Sequence, residues 1–200
     1  MRRVPRNVLL AATAATLVTA LGAATATASA ATGHPEPPRL AVAHGKFAPA
    51  SQADGATAVT YNTTLAPEGA RAAVVEWAGP DGSTRIHLFV KGMVADRVYG
   101  AHVHTKPCGK LPADAGPHYQ DQVDPVTPSV DSRYANPRNE VWLDFETDHR
   151  GAAHATSRND WRFRDGGARS VVIHEMATAT HDGHAGTAGA RLACLNVDFV

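Results

Sequence analysis

The sequence predicts an all-β domain, an antiparallel sandwich or barrel. Three observations carry this. From about residue 55 onward, short extended runs are separated by turns rich in Gly, Pro and Asp. Within the runs residues alternate: Ile86, Leu88 and Val90 interleave with Arg85, His87, Phe89 and Lys91, the period of a half-buried strand. No stretch shows sustained helical periodicity.

The N-terminal part is read differently. Residues 1–30 read as a secretory signal peptide. Arg2, Arg3 and Arg6 give a positive start, Val8 to Leu21 is apolar, and Ala28-Ser29-Ala30 is a small-x-small cleavage site. The apolar run is short and diluted by Thr, which disfavours a membrane span, so a secreted or cell-envelope protein with no span in its mature form is expected. Residues 31–54, rich in Pro, Ala and Gly, read as a mobile leader in which His34 and His44 are solvated. The remaining residues, 55–200, form one domain.

Eight strands are predicted in that domain. Thr57–Asn62 is the first and Ala72–Trp77 the second. The turn Gly79-Pro80-Asp81-Gly82 joins the second to Thr84–Lys91; Pro presets φ there and Gly accepts a positive φ. Tyr99–His104 follows. After a long loop come Val141–Glu146, the turn Asp148-His149-Arg150-Gly151, and Ala153–Ser157. Ser170–His174 and Leu192–Val197 complete the set. Residues 105–140 hold six prolines and few apolar residues, and a long ordered loop of this kind is usually functional.

Charge and cysteines narrow the function. The chain has 19 basic and 19 acidic residues; the first thirty hold three Arg and no acid, leaving 16 basic against 19 acidic. A slightly acidic chain with no basic run argues against a nucleic-acid partner. Cys108 and Cys194, in an exported chain, most simply form one disulfide, which in the chain-entropy model stabilises by about 4–5 kcal/mol. Two free thiols or a Cys-ligated metal are the alternatives.

The chemistry is concentrated in Gly100-Ala101-His102-Val103-His104. Histidines at i and i+2 on a strand point to the same side. Gly116-Pro117-His118 lies a loop away and Val171-Val172-Ile173-His174-Glu175 far downstream, followed by Ala190-Arg191-Leu192-Ala193-Cys194. Four imidazoles without a thiolate suit Cu(II).

These pieces, in this order, resemble the copper/zinc superoxide dismutase family over roughly residues 57–199. The resemblance implies an eight-stranded Greek-key barrel with the metal site on its long loops. It implies copper held by His102, His104, His118 and His174, with His118 and Arg191 in catalytic roles. Arg191 would guide the superoxide anion, and Cys108–Cys194 would be the disulfide. The family's zinc site is not matched: where it reads His-Val-Gly-Asp-Leu-Gly, this chain reads Asn139-Glu140-Val141-Trp142-Leu143-Asp144, and Trp cannot ligate zinc. His149 and His154 are poorly placed to substitute, and Asp121, Asp124 and Asp131 offer only a remote second site. A copper-only member without zinc is therefore expected. Glu140 or Asp144 is the candidate to orient the second ring nitrogen of His118. His181, Asp182 and His184 read as a solvated loop, with auxiliary metal capture as the sharper alternative. The expected activity is dismutation of superoxide to dioxygen and hydrogen peroxide; a non-catalytic copper-buffering module on the same fold is the alternative. The sequence leaves the oligomeric state open.

Overall fold

The structure, a computed structural model, describes residues 37–200. The signal-peptide reading and the first residues of the leader lie outside the described residues. Ten strands are present among the described residues: β1 (Arg39–Lys46), β2 (Ala48–Pro49), β3 (Ala58–Thr60), β4 (Arg71–Ala78), β5 (Thr84–Lys91), β6 (Val98–His104), β7 (Phe145–Glu146), β8 (Ala153–Asn159), β9 (Ser170–His174) and β10 (Arg191–Asn196). No α-helix occurs among the described residues, only two short 3₁₀ turns.

The strands form two sheets, ordered β1-β4-β5-β8 and β2-β3-β10-β9-β6-β7. All pairings are antiparallel except β2 with β3. The chain changes sheet five times, at β1–β2, β3–β4, β5–β6, β7–β8 and β8–β9. The expected all-β class, a sandwich or barrel, is therefore correct, with ten strands among the described residues where eight were expected. β5 and β9 fall on their predicted bounds, and the other long strands differ by one or two residues at their ends.

Two expectations are corrected. The leader reading fails for residues 39–49. β1 pairs with β4 along its whole length, from Arg39 opposite Ala78 to Lys46 opposite Arg71. Its Ala- and Gly-rich composition conceals an edge strand whose outward Leu40, Val42, His44 and Lys46 alternate with more buried neighbours. The second correction concerns Val141–Glu146. Only Phe145 and Glu146 pair as a strand; Glu140 and Trp142 make isolated bridges to Gln120 and His102. This segment is tied to the long loop more than to the sheet.

One core lies between the sheets. Val74, Ile86, Leu88 and Val90 from the first sheet meet Ala101, Val103, Val171, Ile173, Leu192 and Leu195 from the second. The alternation that sends Ala101 and Val103 inward sends His102 and His104 to the opposite face of β6. On β9, Val171 and Ile173 point inward while Val172 joins a second, smaller cluster with Val59, Ala115 and Cys194. That cluster lies beneath the loop running from Thr105 to Asp144. The loop is anchored by Tyr119, whose ring packs on Trp161 and Phe163 and whose hydroxyl accepts the Arg164 backbone N–H at 2.9 Å.

Candidate metal centre

His102 and His104 come from β6, His174 from the end of β9, and His118 from the covering loop. β6 and β9 pair with Gly100 opposite His174 and His102 opposite Val172, which sets the three strand histidines side by side. His118 is brought in by its bridge to His104. The four rings offer nitrogens that all lie within 4.8 Å of one another, the only such group of three or more ligand side chains among the described residues.

Hydrogen bonds decide which nitrogen three of the rings offer. The Thr178 hydroxyl donates to Asp144 Oδ1 at 2.6 Å, so it accepts from His102 Nε2–H at 2.7 Å. This leaves His102 Nδ1 bare, and it is buried without a hydrogen-bond partner. His104 Nδ1–H donates to the Gly116 carbonyl at 2.9 Å, leaving Nε2 bare. His118 Nδ1–H donates to Glu140 Oε2 at 2.9 Å, again leaving Nε2. His174 Nε2 lies 3.4 Å from His104 Nε2. An orphaned buried nitrogen costs about 1–3 kcal/mol unless something binds it, and here it sits beside three convergent imidazoles. The donor set fits a metal ion.

Electrostatics agree. Burial, reinforced by His118, holds His102 and His104 well below the ordinary imidazole range and His174 down to about 3. The Arg191 guanidinium adds to the effect on all three. These three histidines are therefore neutral at pH 7, the form that binds a metal.

Arg191 opens β10 opposite His174, and its Nη1 donates to the Pro112 carbonyl at 2.9 Å. It is half-buried, with its charge beside the cluster. Cys108 and Cys194 form a disulfide joining the loop to β10. The Cys108 backbone N–H is also held by Asn196 Oδ1 at 2.8 Å.

The two candidate carboxylates divide. Glu140, fully buried, receives three donors: His118 Nδ1–H, Trp142 Nε1–H at 2.8 Å and Gln120 Nε2–H at 2.8 Å. Asp144 does not reach His118. It accepts from Thr178 Oγ1 and from the Thr178 backbone N–H at 2.7 Å, and so orients His102 through the threonine. Thr178, Gln120 and the donor role of Trp142 were not legible in the sequence. Thr178 stands in a loop with no pattern to mark it, although its place four residues after His174 puts it near the cluster.

The remaining acidic and histidine candidates are not brought together. Asn139 bonds the Gln122 backbone on both sides and the Tyr134 carbonyl. Asp124 is taken up by Ser129 and Val126, and Asp131 by Arg133. His149 is an exposed turn residue. His154 lies on the outer face of β8, beside His87. His181 and His184 stand 5.0 Å apart on an exposed loop. Asp182 there accepts the Ser132 hydroxyl.

Fold and site together define the class: an all-β sandwich with a buried four-histidine cluster that could hold a metal ion, covered by a disulfide-tied loop. No family model matches the chain, and no curated protein matches it. Among solved structures it is similar to the clock protein EA4, at 19% identity and a TM-score of 0.52, over 82% of this chain and 96% of that one. It is also similar to a double mutant of a SOD-like protein from Bacillus subtilis, at 15% identity and a TM-score of 0.48, over 80% of this chain and 97% of that one. The likeness to EA4 is one of fold.

Proposed function

We propose that the chain is an exported, copper-dependent superoxide dismutase that binds no zinc. Two superoxide anions and two protons would become one dioxygen and one hydrogen peroxide. The observation that carries the reading is the convergence of four imidazoles, with the Arg191 charge acting on three of them. Four nitrogen donors without a thiolate favour copper. When bound, copper would supply the one-electron oxidation and reduction that the reaction needs. His102 Nδ1 and the Nε2 atoms of His104, His118 and His174 would hold it.

The protein's own groups do the rest. Arg191 places a fixed positive charge where a small anion must arrive, and a metal-buffering module has no need of one. The Pro112 carbonyl holds that guanidinium in place. Glu140 fixes the tautomer and orientation of His118, as Thr178 and Asp144 do for His102. Trp142 supports the absence of zinc: at the position of the family's zinc-ligating Asp it donates a hydrogen bond to Glu140. The side chain of Asn139 is likewise spent on backbone groups.

The test is to load the protein with copper, then measure metal stoichiometry and superoxide dismutation. One copper per chain, no stoichiometric zinc and rapid dismutation are expected. Arg191→Ala should keep the copper, lower kcat/KM at low salt and flatten its dependence on ionic strength, because steering is screened by salt. Copper binding without dismutation would make the chain a copper-buffering module instead.

A further inference from the structure

The outer face of the β1-β4-β5-β8 sheet plays no part in the site. The metal centre lies on the outside of the other sheet, across the core. The strand registers lay out this outer face in rows. Leu40, Trp77, Arg85 and Arg158 form one row; Val42, Val75, His87 and Thr156 the next; His44, Ala73, Phe89 and His154 the third. Lys46, Arg71 and Lys91 form the last.

Two features of this face are unusual. The first is its apolar surface: Leu40 is 63% exposed, Val42 61%, Phe89 45% and Trp77 39%. Contiguous exposed apolar residues mark an interaction surface. The second is its charge. Lys46, Arg71 and Lys91 stand directly opposite one another on three adjacent strands, an arrangement that costs stability. None of the three makes an ion pair with a described residue. The four strands carry a single carboxylate, Glu76, and it points into the core. Lys46, Arg71 and Lys91 line a depression with His44 and Phe89. At the opposite end Arg85 and Arg158 add two further cations, with Asp81 near the second.

We propose that this face docks on an anionic phospholipid surface. Aliphatic and aromatic side chains would enter the interface while the basic row meets the phosphates. A soluble polyanion would use the cations but not Leu40 and Val42. A second copy of the chain is disfavoured because a two-fold axis on this face sets the lysine row against itself or against Arg85 and Arg158. Docked in this way, the histidine cluster faces away from the membrane.

The experiment is co-sedimentation of the full chain with vesicles of phosphatidylglycerol and phosphatidylcholine, compared with phosphatidylcholine alone. Salt-sensitive binding to the anionic vesicles is expected. The combined change Lys46→Glu, Arg71→Glu and Lys91→Glu should lower the partition coefficient by about 100-fold or more. The milder Lys46→Gln with Lys91→Gln should lower it by about 30-fold. Leu40→Ser with Val42→Ser should lower it by about 10-fold. The N-terminal segment is common to all variants, so the ratios report the sheet face. Cooperative thermal unfolding at no lower temperature than the parent, with unchanged metal content, would show that each variant is folded. Partitioning within twofold of the parent in both charge variants overturns the proposal. So does loss of binding in the charge variants with none in Leu40→Ser, Val42→Ser, which assigns the face to a soluble polyanion. Self-association abolished by the Leu40 and Val42 changes would assign it to a second copy.

Discussion

Glu140 shows how much one side chain can organise. It is buried, and its two oxygens take hydrogen bonds from His118, Trp142 and Gln120. Glu140→Gln keeps the shape but replaces one acceptor with a donor, so at least one of these bonds must fail. Metal affinity should fall by roughly 10–100-fold, the usual cost of losing the partner that orients a ligand. Competition with a chelator measures this; an unchanged affinity would show that a neutral amide oxygen orients His118 as well as the carboxylate does. Asp144→Asn should act through His102 instead, since Asp144 reaches the cluster only by way of Thr178. The four histidines were legible because each sits in a distinctive short motif. The hydrogen bonds behind them were only half legible. Glu140 and Asp144 lie four residues apart, and nothing in the sequence said that one serves His118 and the other a threonine from a different loop.

At the scale of elements, alternation made most strands legible, and β5 shows it best, with Ile86, Leu88 and Val90 buried and Arg85, Phe89 and Lys91 exposed. β1 escaped because small residues and glycine blur the apolar period and its outward residues Leu40 and Val42 are themselves apolar. The Val141–Glu146 run was over-read because its apolar residues Val141 and Leu143 are buried without most of the run joining a strand. The long loop has no ladder of its own and is held by its disulfide and its aromatic anchor. Cys194→Ser should lower the melting temperature by roughly 5–15 °C. It should also weaken metal binding, since Cys108 lies four residues after His104 and Cys194 three after Arg191. Calorimetry with a metal titration checks both; a loss of stability with intact metal affinity would separate the disulfide from the site.

The whole molecule carries a buried acid in its core. Glu76 is fully buried on β4, accepts the Val200 backbone N–H at 2.8 Å, and burial raises its carboxyl to about 7, opposed by Arg39 and Arg162. The folded state therefore holds this proton more tightly than the unfolded chain. Stability should fall as pH rises from about 4.5 to about 7 and level off above that, a change of about 3 kcal/mol at most. Denaturant titrations across this range should show the slope, and Glu76→Gln should flatten it. If parent and variant have the same pH profile, Glu76 keeps its charge throughout and its neighbours neutralise the cost of burial.

The disulfide also decides what becomes of a cut chain. Arg133 is highly exposed in the long loop, between Cys108 and Cys194. Cleavage after it by trypsin would leave His102, His104 and His118 on one piece and His174 on the other. The two pieces would run as a single band on a gel without reductant and as two bands with it. A nicked molecule would thus remain a covalent two-chain protein, its histidines divided between the chains, until a reductant released one from the other.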